Sequence, residues 1–180
     1  AAAWNEREMA ELLTLADHLV FNSVAQWQRF RPAVEAQNRS RCPDRKIQCG
    51  LRINPEHSEG ATAIYNPCAP GSRLGIRCGD LDEAALEGIS GLHFHTLCEQ
   101  NADALERTLA AVEKKFGRWL PNCRWINMGG GHHITRPDYD LDLLCRCLTT
   151  WRDRYNAQIY LEPGEAVALH AGWLICTVLD

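Results

Sequence analysis

Three short stretches of this 180-residue chain gather groups able to do chemistry. GLHFHTLCEQ (91–100) ends an apolar run with two histidines, a cysteine and a glutamate. On an extended strand His93 and His95 share one face, and Leu92 and Phe94 share the other. NMGGGHHIT (127–135) ends another run with three glycines and two more histidines. Gly129, Gly130 and Gly131 leave their backbone N–H groups unshielded by side chains, which suits a phosphate; the bland reading is a tight turn from strand to helix. LEPGE (161–165) places Glu162 where a third run stops, ahead of a proline and a glycine that force a turn. A carboxylate there must be paired or must hold a proton acceptor in check. Arg52, in LRINP, is one partner within the sequence.

Two chemistries compete for these groups. A metal-dependent TIM-barrel hydrolase would use His93, His95 and one of His132 or His133, since H-x-H at a strand end is a common way to bind Zn²⁺. That reading leaves the GGG and EPGE segments without a task. An organic cofactor employs all three: a phosphate cradle, a flat ring at His95 and a carboxylate are the parts needed to hold pyridoxal 5'-phosphate. The carboxylate would keep the pyridine nitrogen protonated so that the ring acts as an electron sink. A cofactor-binding protein without catalysis is a third reading. There is no GxGxxG pattern and no Walker lysine, which disfavours a nucleotide.

The elements that must carry these groups alternate. Residues 3–16 read as a helix with Met9, Leu12, Leu13 and Ala16 on one stripe. HLVFNS (18–23) reads as a strand, and Ser23 as the cap of a helix that Pro32 ends or kinks. IQCGLRINP (47–55), ISGLHFHTL (89–97), CRWINMGGG (123–131) and QIYLEPG (158–164) read as further strands, with WLICTVLD forming an edge beyond them. Residues 56–79 read as a long ordered loop. Leu105, Leu109, Val112 and Phe116 recur at helical spacing, and Thr135 with Asp138 has the spacing of a capping box ahead of Leu141. Near-continuous apolar strands joined by helices predict an α/β fold with parallel strands covered on both faces. Polar residues gather at four consecutive strand ends, the polarity of a (β/α) barrel rather than of a doubly wound sheet with one switch point. About five strands are visible against the eight a barrel needs, so the expectation is a partial (β/α)8 TIM-like barrel.

Composition narrows the partners. The chain is 46% hydrophobic with a formal net charge of −4, and its longest basic cluster, RSRCPDRK, is interrupted and short. Nucleic acid is not an expected partner. No apolar run approaches the ~20 residues of a membrane span, and no signal peptide opens the chain. Nine cysteines without a CxxC pair suggest reduced thiols in the cytoplasm, most of them small core residues.

GLRINP, YNPCAPGSRLGI, GLHFHTLCEQN, NMGGGHHIT and LEPGEAVAL together resemble the carboxynorspermidine (carboxyspermidine) decarboxylases, of the alanine-racemase-like (fold type III) pyridoxal-phosphate decarboxylases. The resemblance runs from DHLVFNSVAQWQRF to the C-terminus. It implies decarboxylation of carboxynorspermidine or carboxyspermidine to norspermidine or spermidine in polyamine biosynthesis, by a homodimer. His95 would stack on the cofactor ring as the catalytic histidine, and Glu162 would pair with the pyridine nitrogen with Arg52 nearby. Gly129, Gly130, Gly131 and Gly164 would hold the phosphate. Cys98 stands where many relatives carry a phosphate-binding serine, and Glu165 where the common relatives carry arginine. Glu165, His132 and His133 would flank the substrate. The resemblance also implies that residues 1–180 are an incomplete cofactor-binding barrel domain, corresponding to barrel strands 4–8. The strand with the cofactor-holding lysine would precede Ala1 and a C-terminal β-domain would follow, because Lys46, Lys114 and Lys115 lie in a loop and on a helix. Such a fragment is expected to be inactive alone and to self-associate through strand edges at 18–23 and 173–179.

Overall fold

A computed structural model describes residues 3–60 and 62–178. Helix α1 (Glu6–Leu15) starts where Asn5 accepts from Glu8 N and the Glu8 carboxylate returns to Asn5 N, a reciprocal cap. It leads into β1 (His18–Phe21), α2 (Val24–Ser40, capped by Ser23) and β2 (Gln48–Asn54). After the long segment come β3 (Ile76–Arg77), β4 (Ile89–His93), α3 (Ala102–Phe116), β5 (Trp125–Asn127), α4 (Leu141–Tyr155), β6 (Gln158–Tyr160) and α5 (Gly164–Ala168). The main sheet runs β1-β2-β4-β5-β6 with every pair parallel, and β3 adds two residues to the end of β2. Five parallel strands joined by helices confirm the expected α/β architecture.

Register decides what each face carries. Leu19, Phe21, Leu51, Ile53, Leu92, Phe94, Ile126 and Met128 alternate onto the face that packs against helices, and all are buried. Phe21 meets Trp27 and Phe30 of α2 at ring-centroid distances of 5.3 and 6.4 Å. The opposite face has a floor and a row above it. On the floor, Trp125 lies over Gly50 and Gly91: a Cβ at either would come within 2.2 and 2.1 Å of the indole. His18 and Tyr160 flank that indole, with centroids at 5.3 and 6.2 Å. Above it, Arg52 pairs with His93, His93 with Asn127 and Asn127 with Tyr160. Four polar residues thus form one row across four strands.

Several local expectations need correction. Pro32 neither ends nor interrupts α2, which continues to Ser40. Trp27, Phe30 and Val34 are buried on both sides of it, so packing outweighs the lost hydrogen bond. The cap of α4 is Asp140, whose side chain accepts from Leu143 N at 2.8 Å, while Thr135 donates to Ala166 O at 3.0 Å. Residues 173–178 form no strand, and Trp173, Leu174, Ile175 and Val178 are exposed; position 179 lies outside the described residues. The second edge strand is β6 instead. Only Cys49 and Cys147 are buried, four of the nine cysteines are exposed, and all nine are free. No helix among the described residues is long and apolar enough to cross a membrane.

Candidate active site

The strands end earlier than their apolar runs suggest, which places the polar groups just beyond them. Residue 95 lies past β4, 129 past β5 and 162 past β6, and the main chain ties the three together. Phe94 N donates to Asn127 O at 3.0 Å, and Glu162 N donates to Gly129 O at 2.8 Å. Side chains complete the arrangement. Asn127 Nδ2 donates to Glu162 Oε1 at 2.8 Å, and Gly130 N donates to His95 Nδ1 at 3.2 Å. His93, 7% exposed, places Nε2 3.8 Å from Glu162 Oε2, an ion-pair distance too long for a hydrogen bond. His93 first, then Asn127 and His95, hold the half-exposed Glu162 carboxyl down at about 2 against the opposing effect of burial. Arg52 is not its partner, because β2 lies three strands from β6.

The Gly130 bond also settles the state of His95. With Nδ1 accepting, the neutral ring carries its proton on Nε2. Burial, Arg52 and His93 all lower its pKa, which favours that neutral form. Burial likewise lowers the pKa of Arg52, partly offset by Cys68 and Glu162. Arg52, His95, Leu97 and Cys98 line a pocket of about 390 Å³ whose outer wall is Tyr65, Asn66 and Pro67 of the long segment. That segment is pinned by Ser58 Oγ to Thr96 O at 2.6 Å, by Glu59 to Arg107 at 2.6 Å and by Glu56 to Lys115 at 2.6 Å.

The glycines differ from expectation. Gly129 N donates to Asn127 Oδ1 at 2.9 Å and Gly164 N to Glu162 O at 2.8 Å, so with Gly130 three candidate phosphate donors serve the protein itself. Gly131 borders a narrow recess shared with Glu99, His133, Glu165 and Ala166. His132 borders the same recess and is 2% exposed, with Nε2 3.4 Å from Met128 O. Both ring nitrogens of His133 are buried without a partner.

These contacts bear on both candidate ligands. Donor atoms of His93, His95 and Glu162 lie within 4.8 Å of one another, whereas His132 and His133 are not part of the cluster. The expected hydrolase set, which requires His132 or His133 beside His93 and His95, is therefore not assembled. The donor set does fit pyridoxal phosphate: an ionised carboxylate suits a protonated ring nitrogen, and a neutral imidazole offers a flat face. Gly164 has no atom within 4 Å of where a Cβ would stand, leaving the approach to the turn open.

No protein-family model matches the chain. It is 44% identical over 178 residues to the carboxynorspermidine/carboxyspermidine decarboxylase of Campylobacter jejuni, covering 99% of this chain and 44% of that protein. The chain is a relative of the carboxynorspermidine decarboxylases. A carboxyaminopropylagmatine decarboxylase of Synechocystis is 38% identical over 181 residues, covering 100% of this chain and 45% of that protein. Among solved structures, carboxynorspermidine decarboxylase of C. jejuni complexed with norspermidine superposes with a TM-score of 0.76 at 42% identity, covering 93% of this chain and 40% of that one. A diaminopimelate decarboxylase, at 18% identity and a TM-score of 0.68, shares the fold over 93% of this chain and 41% of that one. The chain therefore spans less than half the length of the relatives it matches.

The sequence alone does not single out Asn127 as a site residue, and it offers His93 only as a metal ligand. The available signal was Asn127's polarity within a strand otherwise made of Trp125 and Ile126, two residues before the glycines.

Proposed function

We propose that the chain is the cofactor-binding part of a cytoplasmic, homodimeric decarboxylase that uses pyridoxal 5'-phosphate to convert carboxynorspermidine or carboxyspermidine to norspermidine or spermidine. The observation that carries this reading is the 44% identity over 99% of the chain to a carboxynorspermidine/carboxyspermidine decarboxylase. The site supports it through the low-pKa carboxylate of Glu162 beside the half-buried ring of His95. When bound, pyridoxal phosphate supplies the electron sink for the pair left on carbon as CO₂ departs. Glu162 would hold a proton on the ring nitrogen by charge complementarity, and His95 would offer a flat face to the ring without exchanging a proton. Gly131 and the open surface at Gly164 would receive the phosphate, with Cys98 and Arg52 along the pocket edge. Glu165 and His133 stand at the substrate end, where a carboxylate favours a cationic polyamine.

None of the three lysines of this chain stands at the site. Lys46 precedes β2, Lys114 is exposed on α3, and Lys115 is engaged by Glu56. A titration of the chain with pyridoxal phosphate, followed by absorbance and paired with elemental analysis for zinc, tests the reading. His95→Phe should retain more cofactor affinity than His95→Ala, because stacking draws on area and polarisability. Equal losses, with stoichiometric zinc lost from both variants, would instead favour the hydrolase.

A further inference from the structure

Asn127 is where the two halves of the site meet. It is the last residue of β5, and register sets it between His93 of β4 and Tyr160 of β6. Its carboxamide is used at both ends. Nδ2 donates to Glu162 Oε1 at 2.8 Å, and Oδ1 accepts from Gly129 N at 2.9 Å. The orientation is forced, because only the amide nitrogen can donate to a carboxylate and only the oxygen can accept from an N–H. An aspartate would keep the bond to Gly129 but would set a second carboxylate against Glu162. The other Glu162 oxygen faces His93, whose ring is enclosed and whose Nδ1 has no partner.

We propose that Asn127, seconded by His93, is the positioning residue of this site: one side chain locks the Glu162 carboxylate to the glycine turn, so that both ends of a bound cofactor are held by a single rigid unit. The geometry stands by itself, and its meaning for catalysis rests on the cofactor reading above. Four groups bear on the Glu162 carboxylate: His93 of β4, His95 beyond β4, Asn127 of β5 and, farther away, Arg52 of β2. Asn127 alone reaches it at hydrogen-bond distance while also binding the turn.

The test is a ¹³C NMR titration of the glutamate carboxyls in the cofactor-free chain. In Asn127→Asp the Glu162 midpoint should rise by about one pH unit or more, because a charge-assisted donor is replaced by a like charge. His93→Gln should raise it too. Glu56, paired with Lys115 elsewhere, serves as the internal control and should stay where it is. If the amide spectrum shows that Asn127→Asp does not fold, Asn127→Ser is read in its place; it keeps an acceptor for Gly129 but is too short to reach Glu162. An unmoved Glu162 midpoint in the folded variant overturns the proposal. If Asn127→Asp shows the shift but the unaltered chain fails to bind pyridoxal phosphate, the cofactor reading alone is sunk. A chain that binds the cofactor without the shift sinks the positioning role alone.

Discussion

The Gly129–Gly131 turn after β5 and the Glu162–Gly164 turn after β6 lie side by side and use glycine for different reasons. A Cβ on Gly131 would stand 2.1 Å from Leu97 O, and one on Gly129 would stand 2.4 Å from Phe94 O. Both residues have positive φ, 82° and 70°. Backbone atoms cannot step aside, so the protein's own packing requires these glycines. Gly164 has neither a positive φ nor any neighbour within 4 Å. Its missing side chain clears space outside the protein. The contrast separates glycines that build the site from a glycine that leaves it open, a distinction invisible in the motif letters.

The largest effect expected from this contrast is at Gly131. Gly131→Ala combines left-handed strain with a backbone clash and should cost about 3 kcal/mol, read as a lowered urea midpoint. A loss below about 0.5 kcal/mol, the range of a neutral surface change, would erase the distinction. Gly91→Ala is next. Its Cβ would meet a side chain, Trp125, at 2.1 Å, so the cost should be about 2 kcal/mol. Adding Trp125→Leu should relieve part of it, and strict additivity in that double-mutant cycle would show that the indole is not what excludes the methyl group.

A third test uses acid. The Glu162 carboxyl is depressed from its ordinary 4.5 to about 2 in the folded chain, so its contribution is complete above 4.5 and is lost as pH falls towards about 2. Glu162→Gln should therefore flatten the acid limb of stability in that window and leave the neutral range parallel to the unaltered chain. The smallest effect belongs to Gly164→Ala. Stability should hold or rise by about 0.5 kcal/mol, since the position is helical and open. Affinity for pyridoxal phosphate should nevertheless fall. An unchanged affinity would mean that the open space faces nothing.

The strand ends were legible because burial periodicity and polarity change together there. His93 and His95 do share a face, and four decorated ends do line one edge of the sheet. The partner of Glu162 was not legible. Pairing it with Arg52 required knowing how many strands separate them, and strand order is a property of the assembled sheet. The fate of the glycine N–H groups was hidden for a similar reason. Their acceptors, Asn127 Oδ1 and His95 Nδ1, are fixed by side-chain direction rather than by spacing. Residues 173–178 show the opposite failure: an apolar run has the local signal of a strand, but a strand exists only where a neighbour pairs with it.

The outer wall of the pocket is moored in part by charge. Ser58 to Thr96 and Asn22 to Arg73 and Gly75 are neutral hydrogen bonds, whereas Glu59 to Arg107 and Glu56 to Lys115 are ion pairs with side chains about a third to a half exposed. Exposed pairs of this kind contribute roughly 0.2–1 kcal/mol each and are screened by salt. Ionic strength therefore acts on this segment before it acts on the sheet, whose strands are joined by buried ladders. In concentrated salt the chain should become open to proteolytic nicking between residues 56 and 75 while its core amides stay protected from hydrogen exchange. The wall then behaves as a separate, weaker unit of folding, and access to the pocket becomes a function of the surrounding electrolyte.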